Sequence, residues 1–302
     1  MNFEFRAWLD AKYPLDSRSL NRQVLDNLKQ MLRAKTHLRC LDLGTGTGAM
    51  SKRLIDWGLE ASLEIIGLDI DAELIDVATD NLRHYLNDLG FRTEGRHRTI
   101  SAHRNHRKIS VAFERASVLE ANPDPDFGPF DLVTAHQFMD LMPLKPAVDK
   151  IRKLLAPDGI FYSTLNYEGE TSLIPVYSDE QLERKLLENY DRSMEGRIIE
   201  GLPTGGAHSG RRLIGRLVSA EFAIHSYGTS DWNITPVNRS YCDQDAYCLK
   251  SLLELIQGEA NAVSTFDPEK LKRWHSERSN ATAAGLLGMI VHQLDILAVK
   301  GA

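Results

Sequence analysis

Three glycines alternate in Gly44-Thr45-Gly46-Thr47-Gly48, directly behind the apolar segment Leu41-Asp42-Leu43. Glycine tolerates the φ > 0 turn and lets bare backbone approach a ligand. The helix expected after Gly48 turns its free N–H groups toward any anionic group there. The run therefore predicts a nucleotide-type pocket. Gly44, Gly46 and Ala49 also fit the G-x-G-x-x-A form of a dinucleotide site, which leaves a pyridine-nucleotide oxidoreductase open at this point.

The surrounding chain must supply a sheet to carry such a loop. From about residue 37 to 165, short apolar runs alternate with amphipathic ones, the pattern of a parallel sheet covered by helices on both faces. Strands are predicted over Leu38–Leu43, Leu63–Ile70, Val111–Ser117, Phe130–Ala135 and Gly159–Leu165, the last entered through a turn at Ala156-Pro157-Asp158-Gly159. Helices are predicted over Ala49–Trp57 and over Ala72 to about Leu89, the second capped by Asp71. Further helices are expected at Asp179–Met194, Arg211–Ser219, Tyr247–Gln257 and Leu271–Met289. A sixth strand is expected near Phe222–Tyr227, and Val291–Val299 reads as a last strand inserted at the sheet edge.

Composition fits a soluble enzyme. The 302 residues are 42% hydrophobic and 26% charged, enough for a packed core, and the formal net charge of −6 offers no global attraction for nucleic acid. The three cysteines, Cys40, Cys242 and Cys248, form no C-x-x-C pair, as suits a reducing compartment. The N-terminal segment carries Glu4 and no apolar core of a signal peptide. No stretch reaches the roughly 18 apolar residues of a membrane helix, so a cytoplasmic protein without a membrane partner is expected.

Four motifs in order carry a family resemblance: Asp42–Gly48 (DLGTGTG), Asp69 at the end of the second strand, Phe130–Asp140 (FDLVTAHQFMD) and Lys153–Asn166 (KLLAPDGIFYSTLN). Together they resemble class I S-adenosylmethionine-dependent methyltransferases of small-molecule type. The resemblance implies a doubly wound, seven-stranded, mostly parallel Rossmann-like sheet with an antiparallel C-terminal strand. It implies S-adenosyl-L-methionine as cofactor, held by Asp42, Gly44, Thr45, Gly46 and Gly48 at its methionine end. Asp69 would bind the ribose hydroxyls, Ile70 would line the adenine, and Ser117 and Val118 would meet the adenine edge. Ser117 stands where the family often carries Asp, so one hydrogen bond there comes without charge. Asp42 immediately before the loop, and the order of the downstream motifs, favour the methyl donor over NAD.

Transfer from a sulfonium is an in-line displacement, so the protein's main task is to hold the nucleophile behind the methyl carbon and exclude water. His136, after the fourth strand, is the expected general base or acceptor orienter and also a cofactor contact, or else a residue that merely caps the strand. Tyr13, Arg18, Asn166, Tyr167 and Trp232 are candidate acceptor residues. Arg18 could meet the cofactor carboxylate or an acidic substrate, or be a solvated helix residue. The Arg- and His-rich segment 92–108 reads as a solvated hairpin or loop. Its His97, His103 and His106 lack companions at ligand spacing, and no metal is expected.

Signatures of nucleic-acid amino methylation, cytosine C5 chemistry and protein arginine methylation are missing. The expected function is therefore methyl transfer to oxygen or nitrogen of a small organic metabolite. A catalytically inactive S-adenosylmethionine-binding regulator is the alternative: an enzyme leaves a cavity lined by His136, Asn166 and Tyr167, whereas a regulator fills it. The expected division is an N-terminal helical lid (1–36), the Rossmann-like domain (37–236 with 288–302) and a helical insertion covering the acceptor site (237–287). The sequence does not fix the oligomeric state.

Overall fold

The computed structural model describes residues 5–59, 61–121 and 127–301; residues 1–4 of the expected lid and residue 302 of the expected Rossmann-like domain lie outside them. Two helices, α1 (Phe5–Ser19) and α2 (Arg22–Leu32), precede β1 (His37–Leu43), α3 (Ala49–Asp56), β2 (Ser62–Asp69) and α4 (Ala72–Asp88). Then come β3 (Arg92–Glu94), β4 (Thr99–Arg104), β5 (Arg107–Arg115), β6 (Phe130–His136), a short 3-10 turn at Met139–Leu141, α5 (Leu144–Leu154) and β7 (Leu155–Ile174). The C-terminal part comprises α6 (Glu180–Glu195), β8 (Ile198–Ile199), β9 (Leu202–Pro203), α7 (Ser209–Ser219), β10 (Phe222–Thr229), β11 (Trp232–Ile234), α8 (Asp245–Asn261), α9 (Pro268–Ala283) and β12 (Gly288–Lys300).

The main sheet runs β10-β12-β7-β6-β1-β2-β5-β4-β3, with β11 paired to β12. β7, β6, β1, β2 and β5 are mutually parallel, and β12 is antiparallel to both of its long neighbours. This is the doubly wound sheet with an antiparallel C-terminal strand, enlarged by β3, β4 and β11. Alternation along β1 explains the layering. Leu38 and Cys40 join Met50, Leu54, Ile75 and Leu82 under α3 and α4, whereas Leu41 and Leu43 join Val148, Ile151, Leu213 and Leu217 under α5 and α7.

Segment 92–108 takes the hairpin form of the two expected: Ile100, Ala102 and Ile109 alternate inward, and the β4–β5 pair closes on Arg104 and Arg107 around Asn105, which adopts φ 54°. Three expectations need correction. The third strand begins at Arg107 and ends at Arg115. The helix expected over Leu271–Met289 stops at Ala283, because Gly285 turns at φ 64° and hands the chain to β12. β12 itself lies inside the sheet, between β7 and β10, and the edge strand is β10.

A third apolar cluster lies outside the doubly wound core and joins α1, α6, α8, α9, β11 and the far end of β7 around Leu15, Tyr167, Leu186, Trp232, Leu253 and Trp274. Its polar tie is Glu183 on α6. One carboxylate oxygen accepts from Trp274 Nε1 at 2.9 Å and Arg278 Nε at 2.8 Å, and the other accepts from Arg278 Nη2 at 2.6 Å.

Candidate active site

The glycine run leaves β1 at the carboxyl edge of the parallel strands, where open α/β sheets bind ligands. Gly44, Gly46 and Gly48 take φ of 65°, 53° and 85°, and Gly48 caps α3 from the left-handed region, a conformation costly for any residue with a Cβ. Thr45 N donates to Leu68 O at 2.9 Å, which ties the loop to β2. Gly46 N donates to Asp69 Oδ2 at 2.9 Å, and Asp71 N donates to Asp69 Oδ1 at 3.0 Å. The Asp69 carboxylate is thereby fixed in orientation beside the loop while remaining partly exposed.

Ile70 follows with 70% of its surface exposed, an unusual state for an apolar side chain and one that a flat ring could cover. Ala116 N donates to Asp69 O at 3.0 Å and brings Ser117 and the buried Val118 to the same edge. Ser117 Oγ accepts from Leu119 N at 3.3 Å, so its hydroxyl shapes a turn.

Asp42 is buried. Its Oδ1 accepts from Thr134 Oγ1 at 2.8 Å, and the Thr45 hydroxyl stands close enough to the carboxylate to favour its ionised form. Burial raises the Asp42 carboxyl to about 6. A buried carboxylate beside a glycine turn could hold the ammonium of an amino-acid moiety.

The opposite wall is made by α1. Phe138 lies against Gly44, and Leu9 of α1 stands over Gly46. Below them Asp16 of α1 is the centre of a buried polar cluster. Its Oδ2 accepts from Lys12 Nζ at 2.8 Å and lies 3.2 Å from His136 Nε2 and 3.8 Å from Arg53 Nη2. Its Oδ1 accepts from Trp232 Nε1 at 3.1 Å and Gln137 Nε2 at 3.2 Å. Lys12 also donates to Gln137 Oε1. Burial pushes the Asp16 carboxyl up, but Lys12, His136 and Arg53 outweigh it and hold the group well below the usual carboxylate range. Nothing in the sequence pattern distinguished Lys12, Asp16 or Arg53 from ordinary helix residues, because their partners lie on four separate elements.

The predicted catalytic and acceptor residues fare unevenly. His136 is buried, with Nδ1 2.7 Å from Thr164 Oγ1 and Nε2 3.1 Å from Arg53 Nη1. Burial, reinforced by the Arg53 charge, lowers its pKa to about 3. Both nitrogens have partners inside the protein, which hold the ring in place at the end of β6. Arg18 pairs with Asp245 of α8 at 2.5 Å and so is spoken for by the protein itself. Asn166 accepts from Ser163 Oγ at 2.8 Å and donates to Leu294 O at 2.9 Å, closing the β7–β12 bulge. Tyr167 donates to Asp191 Oδ1 at 2.6 Å. Trp232 is core, edge-on to Trp8 with ring centroids 5.8 Å apart. Tyr13 stacks on Arg53, its ring centroid 4.6 Å from the guanidinium carbon. Asn166, Tyr167 and His136 thus each hold hydrogen bonds within the protein.

The comparisons with known proteins decide between the two ligands that the glycine run alone allows. Residues 34–204 match the family model described as methyltransferase domain. The chain belongs to the methyltransferase domain family. No curated protein matches the sequence. Among solved structures, a candidate methyltransferase of Bacillus halodurans is similar in fold, with TM-score 0.52 and 13% identity over 92% of this chain and 99% of that one. A S-adenosylmethionine-dependent methyltransferase of Methanosarcina mazei gives TM-score 0.45 and 14% identity over 89% and 95% of the two chains. The geranyl diphosphate C-methyltransferase of Streptomyces coelicolor, solved with S-adenosyl-L-homocysteine, gives TM-score 0.46 and 13% identity over 91% and 78%. Membership of this methyltransferase family makes S-adenosylmethionine the methyl donor.

Proposed function

We propose that the chain transfers the methyl group of S-adenosylmethionine to an oxygen or nitrogen of a small organic acceptor by in-line displacement. One observation carries the reading: three groups complementary to the three parts of the donor stand in line at the carboxyl edge of β1 and β2. Asp42 with Gly44, Thr45, Gly46 and Gly48 would take the amino-acid end, Asp69 the ribose diol, and Ile70 with Ser117 and Val118 the adenine. The donor supplies an activated methyl on a sulfonium. The chain's own residues bind, orient and exclude water. α1 carries Leu9 over the glycine run, so it is placed to shut water out of the displacement. His136, neutral between Thr164 and Asp16, fixes the end of β6 and hence the wall beside the methyl group.

The division of labour follows the layers. Residues 1–36 act as a helical lid, 37–236 with 288–302 as the catalytic domain, and 237–287 as a helical insertion that packs on α1 and α6 and encloses the acceptor side. No helix among the described residues is long and apolar enough to cross a membrane, which accords with a cytoplasmic enzyme acting on a diffusible metabolite. The test is transfer of labelled methyl from S-adenosylmethionine to a panel of small amines, alcohols, phenols and carboxylates. Label should move to one chemical class. Donor binding without transfer to any acceptor would refute catalysis and leave a cofactor-sensing role.

A further inference from the structure

The Asp16 cluster contains more donors than α1 needs to stay folded. Lys12 and Asp16 are four residues apart on one helix and bonded at 2.8 Å, so they move together as a neutral pair. The groups facing them are fixed to the body of the protein: Arg53 on α3, His136 and Gln137 at the end of β6, and Trp232 on β11. Arg53 is 2% exposed, and its one carboxylate neighbour within ion-pair distance among the described residues is Asp16. Gln137 holds a left-handed backbone at φ 49°, a strained state for a residue with a side chain, and aims its amide into the same space. From these fixed elements a guanidinium, an amide N–H and an indole N–H converge on the position of a single carboxylate.

We propose that Arg53, His136, Gln137 and Trp232 form a receptor for a ligand carboxylate, and that Asp16 fills it in this conformation as an internal stand-in. The inference rests on the methyl-donor reading only for where the ligand comes from. The receptor lies about two helical turns, ~10 Å along α1, from the Leu9 that stands over Gly46, and Arg53 belongs to the helix that the glycine run opens. A carboxylate arriving with the donor's amino-acid moiety or with the acceptor would displace Asp16 and shift α1 as it enters. The receptor then keeps its anion, and Lys12 leaves with Asp16.

The experiment uses the full chain with Asp16→Ala and Asp16→Asn. Formate, sized to the deleted carboxylate, should raise the unfolding temperature of Asp16→Ala above that in equal chloride, and should leave the parent and Asp16→Asn unmoved. Binding of S-adenosylhomocysteine and of decarboxylated S-adenosylmethionine is then compared by calorimetry. If the donor supplies the carboxylate, removing the Asp16 charge tightens the carboxylated ligand by about tenfold and leaves the decarboxylated one unchanged. If formate stabilises Asp16→Ala while both nucleosides bind as they do to the parent, the receptor serves the acceptor's carboxylate. Formate without effect on Asp16→Ala, together with no carboxylate-dependent gain in Asp16→Asn, overturns the proposal. Should Asp16→Ala not fold, the calorimetric comparison with Asp16→Asn decides. Failure of both nucleosides to bind the parent would instead refute the donor assignment.

Discussion

Donor affinity should depend on pH through Asp42. In the free protein, burial holds this carboxyl at about 6 against an ordinary 3.8, in spite of the Thr45 and Thr134 hydroxyls beside it. A ligand ammonium on the carboxylate favours the anion and returns the pKa toward its ordinary value. The difference between about 6 and 3.8 is worth roughly 3 kcal/mol of coupling between ligand and ionised Asp42. The sign follows from which form binds. Below pH 6 the free protein holds a proton that must leave on binding, so affinity falls as pH falls; above pH 7 the group is already ionised and affinity is flat. Between pH 7 and pH 5 the dissociation constant should rise by about tenfold. Calorimetric titration with S-adenosylhomocysteine in buffers of different ionisation enthalpy reads both the slope and the proton released. Asp42→Asn should bind weakly and lose the slope. A dissociation constant flat from pH 5 to 7 in the parent, or a slope that survives in Asp42→Asn, would refute the placement of the amino group on Asp42.

Asp69→Ala should weaken S-adenosylhomocysteine by about 1.5–3 kcal/mol through loss of charge-assisted hydrogen bonds to the ribose. A 2′-deoxy analogue should discriminate less against the variant than against the parent; equal discrimination would remove Asp69 from the ribose site. Glu183→Ala leaves Arg278 buried without its carboxylate and should cost about 3–5 kcal/mol in urea unfolding, read as a lower midpoint. An unchanged midpoint would mean that the α6–α9 tie does not hold the insertion.

Local patterns carried much of the architecture. The apolar segments of β1, β2 and β6 are buried on both faces, so their strands read as continuous runs, and the Asp71 cap marks the start of α4 because its Oδ1 accepts from Glu73 N at 2.8 Å. Arg and His on the exposed face of the β4–β5 pair mask the alternation of Ile100, Ala102 and Ile109, so composition alone leaves hairpin and loop both open. The end of α9 was overrun because Leu286, Leu287 and Met289 continue the apolar content beyond the turn at Gly285.

The sequence by itself determined the doubly wound class, the glycine turn and its acidic companions Asp42 and Asp69, since each depends on a few neighbouring residues and on where a strand stops. Tertiary structure alone decided which charged side chains face one another. Asp16 receives donors from residues 4, 121 and 216 positions away, and Arg18 finds Asp245 across 227. Such pairings arise only when α1 folds across β6 and β11 and burial removes the water that would otherwise solvate each charge. The same burial, with Arg53 beside the ring, lowers the His136 pKa to about 3, an outcome set by desolvation and charge rather than by residue type.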